Sequence, residues 1–323
     1  MSGVVDGTLE ILQQGLDDPS TDSNQRNEIF RLLLRSVVDL SVLPPSYYIQ
    51  GVTRQHTEPH RMGGFADVYR AMWQSQAVAI KVMRMFSSSQ AEDRDPIQSA
   101  FLREIVVSRQ VEHPFVQPFW GVDRVTFAPR LGLISPWQPY GNINEAMDTL
   151  SRDNTPIPYN IWLLQIAKGL QHLHCIGIVH GDLRGANILI DEHLHPRLTD
   201  FGLSILADAY TRTLGSQGGV AVRWSPPELI SGVILRPNFA SDVYAFGCTC
   251  IELYGRQKPF GHISNDVQVI YQLALGAQPE RPTAGVPIPE LLWHLISQCL
   301  DKDPARRPTV TDIVRQMEVI VQS

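Results

Sequence analysis

HGDLRGANILI at residues 180–190, followed by TDFG at 199–202, decides how this 323-residue chain is read. Asp182 offers a carboxylate to a substrate hydroxyl, Asn187 follows five residues later with an amide oxygen, and Asp200 supplies a second carboxylate. Oxygen ligands of this kind suit a hard cation such as magnesium. Together they meet the needs of phosphoryl transfer, where the protein mainly positions the reactants and neutralises charge. Between the two motifs Ile188, Leu189 and Ile190 are apolar, residues 191–196 form a polar break, and Leu198 resumes the apolar pattern. That pattern predicts a hairpin returning the chain to the site. An HxD or a DFG alone is frequent by chance; the pair at this spacing is not.

Upstream, VAIK at 78–81 ends an alternating strand in Lys81, and DPIQSAFLREIVVSRQVEH at 95–113 reads as a helix. Asp95 suits its N-cap, Pro96 its first turn, and Phe101, Ile105 and Ser108 share a face. Glu104 lies on the same helix and by itself reads as a solvated charge. These stretches resemble the eukaryotic protein kinase family. HGDLRGANIL, RWSPPEL and LPPSYYIQGV are most similar to the tyrosine-kinase-like Ser/Thr kinases of the type expanded in fungi. The resemblance covers about residues 55–320, with the motifs in the family's order.

The resemblance implies a bilobal α+β fold, with a strand-rich N-lobe over about 51–138 and a helical C-lobe over about 139–323, preceded by a helical extension over 1–50. It implies ATP and Mg2+ as cofactors and a protein substrate. Asp182 is then the catalytic base, Asn187 and Asp200 the metal ligands, Lys81 the phosphate contact and Glu104 the partner of Lys81. Glu228 of SPPE would pair with Arg307 of DPARRPTV, and Asp242 in SDVYAFGCTCIEL would anchor the backbone of the catalytic loop.

The nucleotide-binding residues implied are Met62, Gly63, Gly64, Phe65, Val68, Ala79, Lys81, Ser135, Pro136, Gln138 and Leu189. RMGGFADV at 61–68 departs from the family's GxGxxGxV, because Arg61 and Ala66 stand where the first and third glycines belong. Glycine lets backbone amides approach phosphates closely, so weaker nucleotide affinity is expected, not its loss. In LGLISPWQPYGNI at 131–143, Ser135 is a small gatekeeper. Pro136 lacks an N–H, but the family uses the carbonyl at that position and the amide at Gln138.

Gly181 replaces the arginine of the usual HRD motif, which removes the partner that docks a phosphorylated activation loop. Thr211, Thr213 and Ser216 can still be modified, but activity is expected to depend less on it. Arg184 and Ala221 depart from the common Ser/Thr pattern, so Ser/Thr specificity rests on the resemblance and tyrosine stays open. The degraded glycine loop and Gly181 raise a second reading, a pseudokinase serving as a nucleotide- or partner-binding scaffold. The full set of Lys81, Glu104, Asp182, Asn187 and Asp200 argues against it.

Composition is that of a globular protein, 43% hydrophobic and 19% charged. A net charge of −6 argues against nucleic acid or an anionic membrane as the main partner. No segment reads as a membrane span or a secretory signal. Cys175, Cys248, Cys250 and Cys299 lack a disulfide spacing, which suggests reduced thiols in an intracellular protein, cytoplasmic with the nucleus open. His172, His174, Cys175 and His180 crowd together, and a helix end leading into the catalytic loop explains them better than a metal site. DPSTDSNQ at 18–25 reads as a linker, with Asp22 and Gln25 opening a helix over roughly 25–40. Its stripe of Ile29, Leu33, Val37 and Leu40 either packs on the small lobe or docks a partner.

Overall fold

The longest alternating runs of the chain become the centre of an antiparallel sheet in the computed structural model, which describes residues 2–62, 66–83, 91–201 and 221–323. Its strands are Thr53–Arg54 (β1), Arg61–Met62 (β2), Ala66–Trp73 (β3), Gln76–Met83 (β4), Gly121–Asp123 (β5) and Gly132–Pro136 (β6). They lie in the order β1-β3-β4-β6-β5, with β2 also paired to β3. Tyr69, Ala71, Val78, Ile80, Val82 and Ile134 fill one face together with Phe127. Side chains alternate along strands, so Val68, Ala79, Lys81, Leu133 and Ser135 share the other face.

Among the described residues three α-helices complete this unit. Ser2–Asp17 (α1) and Ser23–Leu40 (α2) form a helical pair, and Ala91–Arg109 (α3) follows the sheet's central hairpin. Asp22 caps α2 by accepting from the backbone N–H groups of Asn24 and Gln25, so the expected linker contracts to a turn. Leu33 and Val37 are buried, whereas Leu40 is 47% exposed, which leaves the apolar stripe one residue shorter than its periodicity suggests. Leu9 and Leu16 of α1, Leu33 and Val37 of α2, and Tyr47 share one core with Phe101, Leu102, Ile105 and Val106 of α3 and with Ala66, Met83, Val122 and Leu133. No packing boundary falls near residue 50; Met1–Glu112 and Pro118–Trp137 belong to one compact unit, so far as they are described. α3 starts at Ala91 rather than at Asp95 and places Pro96 in its second turn.

The second unit comprises His113–Gln117, Gln138–Asp208 and Gly219–Ser323, so far as described. It contains Ile143–Arg152 (α4), Tyr159–Cys175 (α5), the hairpin Ile188–Ile190 (β7) and Pro196–Leu198 (β8), Pro227–Ile230 (α6), Phe239–Gly255 (α7), Asp266–Ala274 (α8), Glu290–Cys299 (α9) and Val310–Gln322 (α10). Every residue of α7 from Ser241 to Gly255 is buried. A helix apolar on all sides belongs in the centre of its unit, and α7 is the scaffold on which the catalytic loop is hung. Cys248, Cys250 and Cys299 are free and buried, and Cys175 is free and exposed. Burial pushes the three buried thiols well above the ordinary range, which keeps them as unreactive thiols. Among the described residues no helix is long and apolar enough to cross a membrane.

Candidate active site

Strand register brings together one set of the expected site residues. Val68 stands opposite Lys81, Lys81 opposite Leu133, and Ala79 opposite Ser135, so one face of the sheet carries Val68, Ala79, Lys81 and Ser135 together. Pro136 closes β6 opposite Val78. On β2, Arg61 stands opposite Val68 and Met62 opposite Asp67. The two-residue period therefore assigns Arg61, not Met62, to the face of Lys81, and Met62 is 73% exposed. Gly63, Gly64 and Phe65 lie outside the described residues, as do Thr211, Thr213 and Ser216.

Lys81 Nζ lies 2.7 Å from Glu104 Oε1, with side-chain exposures of 15% and 5%. Glu104 is thus a buried, paired carboxylate rather than a solvated one. Pairing in a low-dielectric setting fixes the ammonium at the end of β4, where an anionic group can meet it.

A second set lies in the other unit, on the loop after α5. Asp242 on α7 is buried; its Oδ2 accepts from the backbone N–H of His180 and its Oδ1 from that of Gly181, both at 2.8 Å. His174 Nε2 meets the same carboxylate at 2.8 Å. Gly181 adopts φ +78°, a region that glycine enters without steric cost and other residues enter at about 1 kcal/mol or more. Burial lowers the pKa of His180, which stays neutral at physiological pH. His172 stacks on His113 at 4.8 Å and Cys175 is exposed, so the His/Cys run is dispersed among different partners.

Asn187 donates its side-chain N–H to Asp182 Oδ2 at 2.6 Å and to the Asp182 carbonyl at 2.8 Å. The β7–β8 hairpin, with Ile188 opposite Leu198, sets Thr199 beside Asn187, and the Thr199 N–H donates to the Asn187 carbonyl at 3.0 Å. That register brings Asp200 to the same end of the hairpin, at φ +60°. Leu189 occupies the middle of β7, out of phase with buried Ile188 and Ile190. Gln138 donates from its side chain to Gln117 Oε1 at 2.8 Å.

Asp182 has its pKa raised. Burial is the leading cause, Asp200 adds to it, and Arg184, His180 and the Asn187 hydrogen bond oppose it. Arg184 Nε lies 3.4 Å from Asp182 Oδ2, and 28% of the Asp182 side chain is exposed. With its nitrogen engaged by Asp182, the Asn187 amide presents its oxygen elsewhere. An amide oxygen and the Asp200 carboxylate are an oxygen-only set that fits magnesium.

One supporting residue escaped the sequence reading. Glu252 on α7 is buried and accepts from the Gly185 N–H at 2.9 Å, Trp224 Nε1 at 2.8 Å and Asn144 Nδ2 at 2.9 Å. It ties the loop between Asp182 and Asn187 to α4 and to the segment before α6. A Cβ on Gly185 would lie 2.7 Å from Asn144 and 2.8 Å from Glu252, so the turn needs glycine. A second carboxylate beside Asp242 in the otherwise apolar run SDVYAFGCTCIEL was the available signal.

Glu228 and Arg307 form a two-armed ion pair, with Nη1 to Oε1 at 2.6 Å and Nη2 to Oε2 at 2.8 Å.

These half-sites are those of a protein kinase, and the family model for protein tyrosine and serine/threonine kinases matches residues 58–317. The chain belongs to that family. It is 30% identical over 258 residues to a Dictyostelium discoideum protein named as a probable serine/threonine-protein kinase, covering 80% of this chain and 27% of the relative. It is 27% identical over 264 residues to the serine/threonine/tyrosine-protein kinase HT1 of Arabidopsis thaliana, covering 79% and 63%. With the dual specificity protein kinase pyk3 of Dictyostelium discoideum it shares 28% over 259 residues, covering 80% and 18%. The chain thus spans between about a fifth and two-thirds of these relatives' lengths.

Proposed function

We propose that this chain is an active protein kinase that transfers the γ-phosphate of ATP to serine and threonine hydroxyls of a protein substrate. The observation that carries this reading is the joining of Asp182 to Asn187, with Asp200 brought to the same hairpin end by the β7–β8 register. Asp182 accepts the hydrogen bond of the substrate hydroxyl and orients it for attack. Asn187 and Asp200 would hold magnesium, which when bound neutralises charge on the phosphates. Lys81, steadied by Glu104, contacts the α and β phosphates. Val68, Ala79, Ser135, Pro136 and Leu189 bound the adenine site, with the Gln138 backbone as its donor. Asp242 and Glu252 hold the loop from behind, and Glu228 with Arg307 anchors the segment that precedes α7.

A pseudokinase would be expected to lack one of these groups, and Lys81, Glu104, Asp182, Asn187 and Asp200 are all present. Specificity for serine and threonine follows the relatives' names, two of which also include tyrosine or dual specificity. Phosphoamino-acid analysis of the autophosphorylated protein decides between them. Four free thiols and the need for ATP suit the cytoplasm.

In a transfer assay with γ-labelled ATP, wild type is expected to label protein, and Asp200→Ala to lose about a hundredfold or more for want of the cation's carboxylate. Equal labelling by the two proteins overturns the reading. Because Gly181 offers no cation to an activation-loop phosphate, phosphatase treatment of the active protein is expected to change turnover less than about tenfold. A loss of several orders of magnitude would show that another cation does the docking.

A further inference from the structure

We propose that α1, α2 and Tyr47 are part of the nucleotide machinery, because they fix the roll of α3 and with it the reach of Glu104 to Lys81. The proposal rests on the kinase reading for its catalytic consequence. Its structural basis is a buried polar cluster that joins the N-terminal helices to the last turn of α3.

The Tyr47 hydroxyl donates to Gln13 Oε1 at 2.7 Å, and Gln110 Nε2 donates to the same oxygen at 3.0 Å and to the Tyr47 hydroxyl at 3.3 Å. Gln13 and Tyr47 have no exposed surface. Burial raises the pKa of the Tyr47 hydroxyl, so it remains a donor at every working pH. Arg109 donates to Asp17 at 3.1 Å, and Glu10 accepts from the Ser46 N–H at 3.0 Å. Four contacts thus link α1 to Tyr47, its neighbour Ser46 and the C-terminal end of α3. Hydrogen bonds impose angular limits that an apolar contact alone does not.

At 100° per residue, Phe101, Leu102, Ile105, Val106 and Arg109 cluster on one side of α3, which Gln110 directly follows, and Glu104 projects from another side. The apolar members of that first side share the core with Leu9, Leu16, Leu33 and Val37. The N-terminal helices therefore grip the side of α3 that Glu104 does not use. A roll of ~20° would move a side-chain tip at ~6 Å radius by about 2 Å. Such a shift would break the 2.7 Å contact between Glu104 and Lys81. Gln13, Tyr47, α1 and α2 all precede the family match at residues 58–317, so this support comes from outside the matched segment.

Deleting the helices would strip the core, so the test uses the full chain with Gln13→Leu, Tyr47→Phe and Gln110→Leu combined. Replacing the three residues by apolar groups of similar shape leaves no buried polar atom orphaned, since Asp17, which loses the 2.9 Å bond from Gln13 Nε2, is 44% exposed, and is nearly neutral for stability. The expected results are a melting temperature close to wild type, about tenfold less amide protection over residues 101–110, and about tenfold weaker MgATP binding by titration. In a Glu104→Gln background the same three changes should cause no further loss of MgATP affinity. An equal tenfold loss in that background, or unchanged protection of α3, overturns the proposal. If the triple variant does not fold, Tyr47→Phe alone, which keeps the Gln13–Gln110 contact, runs the same cycle with about a threefold effect. A wild-type protein that binds no MgATP sinks the kinase reading instead, and the exchange measurement then decides the support of α3 by itself.

Discussion

Asp182→Asn is expected to lose about a thousandfold in kcat while MgATP binding persists, the scale on which a positioned base contributes. Asparagine keeps the shape of the side chain and retains an oxygen for the Asn187 amide, which also holds the unchanged Asp182 carbonyl. The loop stays fastened through Asp242 and Glu252, so the loss is chemical rather than architectural. A variant retaining more than about a tenth of wild-type turnover would remove Asp182 from the role of base.

The pH dependence follows from the direction of the Asp182 shift. Burial raises its pKa above the ordinary 3.8, so the protonated, inactive form survives to higher pH and kcat/KM rises through that raised value. Stability runs the other way. A carboxyl whose folded-state pKa is raised costs stability above the unfolded value, where folding must bury its charge. At pH 7 the neutral Asp182→Asn protein should therefore melt at or above the wild-type temperature, while being nearly inactive. Thermal melts at pH 7 and kcat/KM profiles check both halves. A variant that melts well below wild type would show that the loop depends on the charge.

Much of this arrangement was legible in the sequence because it is local. HGDLRGANILI and TDFG are tied by a hairpin whose apolar–polar–apolar pattern spans eleven residues, and VAIK reads directly as an alternating strand. The N-cap at Asp22 was visible for the same reason. What was missed depends on contacts distant in sequence. α1 has three glycines, Gly3, Gly7 and Gly15, and no acidic residue in its first turn to announce it; it is held by Leu9 and Leu16 in the core and by Gln13 bonded to residues 34 and 97 positions away. Of the two places open to the helical extension over 1–50, the small lobe or a partner, the side chains of α1 and α2 are found in one core with α3 and the sheet. By periodicity alone Glu104 reads as solvated, because one face of α3 is apolar and a charge off that face normally meets water; the resemblance paired it with Lys81, and the two side chains lie 2.7 Å apart. Met62 was assigned by motif position; on β2 it stands opposite Asp67, and Arg61 stands opposite Val68.

Arg307→Leu should cost about 3–5 kcal/mol and lower the melting temperature by on the order of 10 °C. Arg307 is fully buried and Glu228 is 8% exposed, so removing the guanidinium leaves a carboxylate with little water and no counter-charge. The loss is larger than one pair, because Arg307 also donates to the Asp301 carbonyl at 2.9 Å and the Ala240 carbonyl at 3.0 Å, and its guanidinium lies 5.1 Å from the centre of the Tyr244 ring. Arg307→Lys should recover little, since one ammonium cannot reproduce the planar fork on both oxygens of Glu228. The double variant Arg307→Leu/Glu228→Leu should be more stable than Arg307→Leu alone, because it removes the stranded charge. Thermal or denaturant melts of the three variants separate the terms. If the double variant is no more stable than the single, the cost lies in lost packing and in the Asp301 and Ala240 carbonyls, and the ion pair itself contributes little.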